Sequence, residues 1–149
     1  MSKKQDIQAA LKAAMKARDE DTKRTLRLVL ASIKLAEVEQ GSEISPENIL
    51  SILQKEIKTR DDAIEEAIRA NRNDLVLQAQ REKVILNQFL PKQLDEDELS
   101  VLVSEIIEET KAKGIKDMGM VMKNLMPELR GRASGQQASR IVRDLLQSK

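Results

Sequence analysis

The sequence contains no cysteine, histidine, tryptophan or tyrosine, and Phe89 is its one aromatic residue. Each absence removes a class of chemistry. Without cysteine there is no disulfide and no thiolate nucleophile, and the composition fits a reducing compartment. Without histidine there is no imidazole base, and with both missing there is no zinc site of the usual kind. The lack of aromatics argues against reading single-stranded bases by stacking. Glycine (5) and proline (3) are also scarce, so the chain has few forced breaks. No apolar run reaches the ~18–20 residues that span a bilayer. The opening Met-Ser-Lys-Lys-Gln-Asp lacks the apolar stretch of a secretion signal. These features lead us to expect a cytoplasmic protein with no membrane segment, no metal and no cofactor.

What is present is helix-forming. Of 149 residues, 40% are hydrophobic and 34% charged, with a net charge of +1. Ala, Leu, Glu, Lys and Arg favour helices, while the aromatic residues that strands favour are missing. The fold class expected is all-α and multihelical. Start signals and apolar spacing divide the chain into about seven helices. Ile7, Ala10, Leu11, Ala14 and Met15 form one stripe. A second helix starting near Asp21 or Thr22 carries a wide one, Leu26, Leu28, Val29, Leu30, Ile33 and Leu35, and stops at Gly41. Ser45-Pro46 opens a third helix, with Leu53, Ile57, Ile64 and Ile68 at near-heptad spacing. Arg60 and Asp61 interrupt that seam and read as a charge ladder on a partly exposed surface. A fourth helix follows Asn71–Asn73, with Leu77, Val84, Ile85 and Phe89 as its apolar positions.

Leu90-Pro91-Lys92-Gln93-Leu94 reads as a joint, because proline disfavours helix at the preceding residue and cannot donate a helical hydrogen bond. Asp95 and Glu98 then stand in capping-box relation. Two parts are expected: an N-terminal helical bundle, residues 1–92, and a smaller three-helix domain, residues 93–149. In the second part, Leu99, Leu102, Val103, Ile106 and Ile107 mark a helix ending at Gly114. A short helix breaks before Pro127, and a loop then leads to a last helix that buries Ala138, Ile141, Val142 and Leu145.

Charge is balanced overall but unevenly placed. Residues 94–110 hold seven acids and no base, whereas residues 111–149 hold nine Lys/Arg against three acids, a local net of +6. Met118, Met122 and Met126 recur one turn apart and read as packing positions. The acid doublets Asp61/Asp62, Glu65/Glu66 and Glu108/Glu109 sit on polar helix sides, where water keeps both members ionised. No catalytic residue emerges. The informative cluster is basic: Arg130, Arg132, Arg140 and Arg143, with Lys123 beside them, surround a turn that leads into a helix start. Guanidinium forks match phosphate oxygens, and free N–H groups with a positive dipole end favour an anion there. Gly131 and Gly135 would shape the loop, and Ser134 would cap the final helix with Gln137 as its box partner. A solubilising surface is the competing reading.

The segments Thr25-Leu-Arg-Leu-Val-Leu-Ala-Ser-Ile-Lys, Phe89-Leu-Pro-Lys-Gln-Leu, Asp117-Met-Gly-Met-Val-Met-Lys-Asn-Leu-Met-Pro and Gly131-Arg-Ala-Ser-Gly closely resemble the GatB/YqeY-like proteins, in the same order and over essentially the whole chain. The resemblance implies an N-terminal bundle followed by a three-helix domain. That domain is similar to the tail of the B subunit of the glutamine-dependent tRNA amidotransferase, a tail that helps hold tRNA. It also implies that Gly131, Arg132, Ser134 and Gly135 lie on the tRNA side. The family label of carbon–nitrogen ligase activity, with glutamine as amido-N-donor, belongs to catalytic domains this chain does not resemble. The expectation is thus a non-catalytic protein that binds tRNA or another structured RNA. A protein–protein adaptor and an accessory factor of amidotransferase subunits are the alternatives.

Overall fold

The structure, a computed structural model, describes residues 2–148. It has seven α-helices and one 3₁₀ turn, with no strand among the described residues. The helices are α1 (Lys3–Ala17), α2 (Glu20–Gln40), α3 (Pro46–Arg69), α4 (Asn73–Asn87), α5 (Glu96–Thr110), α6 (Met118–Leu129) and α7 (Gly135–Gln147). They fall into two compact units, Met1–Pro91 and Lys92–Lys149.

In the first unit the helix starts follow side-chain chemistry. Ser2 and Gln5 cap α1 reciprocally. Asp19 opens α2 by accepting the Thr22 N–H at 3.2 Å, two residues earlier than the sequence suggests. Ser45 accepts the Asn48 N–H ahead of Pro46. Gly41 closes α2 at φ +80°, a left-handed conformation that costs glycine little. Ile7, Leu26, Val29, Ile33, Leu53 and Leu86 form the centre of the core and are fully buried. Each such side chain contributes roughly 1.5–3 kcal/mol by leaving water.

Several expected core positions turn outward. Ile68 is exposed, as are Leu77 and Val84 on α4 and Leu28 and Leu35 on α2. The inward line of α4 is instead Ala79, Glu82, Ile85 and Leu86. A glutamate in that line hides it from a reading by apolarity. Glu82 is there because Arg60 is buried too, which corrects the expectation of a partly exposed charge ladder. Arg60 does pair with Glu56 one turn before it, but its side chain is only 9% exposed and its Nη2 reaches Glu82 Oε1 at 3.2 Å. A buried guanidinium needs such partners, since an unpaired buried charge is costly. Lys83 pairs with Asp61 beside it.

The second unit is a three-helix packing. Asp95 and Glu98 form the expected reciprocal cap of α5. The helix ends at Lys111, which adopts φ +56°, and not at Gly114, whose backbone is extended before the 3₁₀ turn Ile115–Asp117. Leu99 and Val103 of α5 meet Val121, Leu125 and Leu129 of α6 and Ala138, Val142 and Leu146 of α7. The expected break before Pro127 does not occur, and α6 runs through it to Leu129. The buried line Val121-Leu125-Leu129 continues past the proline, and its burial outweighs one missing backbone donor. Met118 and Met122 pack on the rim of this core, while Met120 and Met126 are exposed, so the methionines are not its centre.

Candidate nucleic-acid interface

The turn between α6 and α7 is held by backbone. Arg130 and Gly131 both take positive φ, 30° and 81°, which reverses the chain sharply after α6. Gly131 is well suited to this conformation because it has no Cβ. The Leu94 N–H donates to the Arg132 carbonyl at 2.8 Å, and the Gln93 side-chain amide donates to the Gly131 carbonyl at 2.7 Å. The segment leading into α5 therefore pins the turn, while the Arg130 and Arg132 side chains stay exposed. Arg132 Nη1 reaches back to the Glu128 carbonyl at 3.5 Å. Gly135 is the first residue of α7, and a Cβ there would meet Met126 Cε at an ordinary 3.6 Å, so this glycine is not required for space.

Ser134 caps α7, accepting the Gln137 N–H at 3.1 Å. Only this half of the expected capping box forms. The sequence of α7 is strongly two-faced: Ala138, Ile141, Val142 and Leu146 are buried, with Leu145 partly covered, and the opposite face carries Gln136, Arg140 and Arg143. Positions 136, 139/140 and 143 lie one turn apart on that face. Together with Ser134, Gln137 and Ser139, Arg140 and Arg143 line one shallow concavity at the N-terminal half of the helix, with no carboxylate among its lining residues.

Of the sequence-predicted residues, Ser134, Arg140 and Arg143 thus come together. Arg130, Gly131, Arg132 and Gly135 belong to the adjoining turn and helix start, and Lys123 projects from the exposed side of α6. Sequence reasoning missed Gln136 and Ser139, which the 3.6-residue period of α7 would have placed beside Arg140. It also missed Glu96 at the start of α5, whose Oε1 lies 2.9 Å from Arg140 Nη2. Among the described residues this is the one ion pair of the second unit, so the acids of α5 otherwise leave the bases of α6 and α7 unneutralised. No group of acidic side chains among the described residues is arranged to hold a metal ion, and no helix is long and apolar enough to cross a membrane.

Fold and surface define a strand-free helical protein of two units whose last helix presents guanidinium groups to solvent. The family model described as Yqey-like protein matches residues 4–146, and the chain belongs to that family. It is similar to two fungal proteins named "Altered inheritance of mitochondria protein 41, mitochondrial". The one from Pyrenophora tritici-repentis is 31% identical over 130 residues, covering 85% of this chain and 71% of the relative. The one from Lachancea thermotolerans is 33% identical over 109 residues, covering 71% of this chain and 58% of the relative. A shorter match, 40% identical over 58 residues, is to a component of the glutamyl-tRNA(Gln) amidotransferase of Thermococcus gammatolerans; it covers 36% of this chain and 9% of that much longer protein.

Proposed function

We propose that this protein binds tRNA or another structured RNA through the outer face of α7 and the turn before it, and that it does so without catalysing a reaction. The observation that carries the proposal is the concavity of Arg140 and Arg143, lined by neutral polar side chains and free of carboxylates. Two guanidinium groups at i, i+3 spacing suit successive phosphate oxygens, and the N-terminal end of α7 adds a favourable dipole. Arg130, Arg132 and Lys123 extend the positive surface as positioning charges. With no tryptophan or tyrosine to stack on bases, recognition rests on backbone and shape. The similarity to part of an enzyme named for glutamyl-tRNA(Gln) supports the choice of RNA.

The test is a gel-shift titration of unfractionated tRNA with the full chain and with Arg140→Glu/Arg143→Glu. The double reversal should weaken binding at least tenfold while helicity and melting temperature stay unchanged. Equal affinity of the two proteins would overturn the assignment.

A further inference from the structure

The face of α2 opposite its buried stripe is itself apolar. Leu28, Ala31, Leu35 and Val38 follow one another at intervals of three, four and three residues, the spacing of a coiled-coil seam. All four are exposed, Leu28 by 49%, Leu35 by 60% and Val38 by 70%, whereas Leu26 and Ile33 on the far side are fully buried. Solvated aliphatic side chains at this regular spacing are the mark of a helix-docking stripe rather than of scattered surface residues.

Charge beside the seam selects the occupant. Arg27 and Lys34 flank it on one side, both exposed and neither within ion-pair distance of an acid among the described residues. In the same concave surface as Leu28, Lys23 and Arg24 add further positive charge, although these two are matched locally by Glu20 and Asp21. A second copy of α2 fits poorly. Parallel pairing would match Lys34 with Glu39 but set Arg24 against its own copy, and antiparallel meshing would set Lys34 against Lys34. The strip is also only about 15 Å long and one helix wide, far short of the ~800 Å² per partner of a stable dimer interface.

We infer that this α2 face docks an amphipathic helix of a partner protein whose apolar seam is flanked by carboxylates. Leu28, Leu35 and Val38 supply the knobs, and Arg27 and Lys34 choose the flank. The site lies in the first unit and is independent of the RNA face on α7.

The probe is a fluorescent three-heptad peptide with leucine at both seam positions and glutamate at the flanking positions, compared with a lysine-flanked counterpart. In anisotropy titrations the full chain should bind the glutamate peptide at least tenfold more tightly. Leu35→Ser should abolish that binding without lowering the melting temperature, because the side chain is largely in water. Arg27→Glu/Lys34→Glu should reverse the preference between the peptides. Equal binding of both peptides, binding of neither, or binding unaffected by Leu35→Ser would overturn the inference. So would a Leu35-dependent homodimer in sedimentation, or Leu35-dependent capture by phosphatidylserine vesicles in place of the peptide.

Discussion

Arg140 donates to Glu96 across 2.9 Å, joining the last helix of the second unit to the first turn of α5, with both side chains more than half exposed. A pair so open to water contributes little to stability. Its consequence is competitive: Glu96 holds the same guanidinium that a phosphate would take. Glu96→Gln frees Arg140, and RNA affinity is expected to rise by a factor of about 2–5 at low salt, the scale of one exposed ion pair. Filter binding at fixed ionic strength reads this directly, while the melting temperature should stay within a degree or two of the parent.

Arg60 and Glu82 make the opposite kind of pair, buried and with Glu56 as a third member. Removing one partner strands the others. Arg60→Ala should destabilise the first unit by about 3–5 kcal/mol. The double change Arg60→Met/Glu82→Leu removes the central charge and one of its two acids, and should cost less than Arg60→Ala alone. Urea denaturation of the three proteins measures both quantities and their non-additivity.

Thr25 is fully buried on α2, and its hydroxyl has no hydrogen-bond partner. Valine has nearly the same shape and helix propensity. Thr25→Val should therefore stabilise the protein by about 1 kcal/mol, the lower range for relieving an unsatisfied buried group. For a unit of this size that is roughly 4–8 °C in melting temperature. A fall in melting temperature would show that the hydroxyl is satisfied in solution.

The Lys4 ammonium donates to Glu37 at 2.8 Å and holds that carboxyl below its ordinary 4.5. A carboxylate depressed in the folded state favours folding above its unfolded pKa. That contribution disappears as pH falls through the folded value. Between pH 7 and 5 the parent and Glu37→Gln should show parallel melting curves. Below about pH 4.5 the parent should lose stability more steeply than the variant.

Much of the fold was legible because the chain punctuates its helices with local chemistry. Ser45-Pro46, Asp95 with Glu98, and Gly41 each act within a turn of their own position, so a reading of neighbours finds them. What was not legible depends on partners distant in sequence. Glu82 lies inward only because Arg60, 22 positions earlier, needs it. Pro127 stays helical because Leu129 beyond it is buried in a three-helix core. At the candidate interface, composition located the basic segment, and the period of α7 was enough to pair Arg140 with Arg143. The neutralising Glu96 came from another helix and left no local signal. The exposed Leu28-Ala31-Leu35-Val38 seam shows the remaining ambiguity, since apolar spacing alone does not say which of two faces is covered.

The central claim is that the α7 surface holds RNA by its phosphates. The most direct test is the salt dependence of tRNA binding by the full chain, followed by Arg143→Ala. About four neutralised phosphates give a slope of log K against log[salt] near −3 to −4, and losing one contact should bring it closer to zero by about one unit. A slope near zero, or one that Arg143→Ala leaves unchanged, would contradict the account.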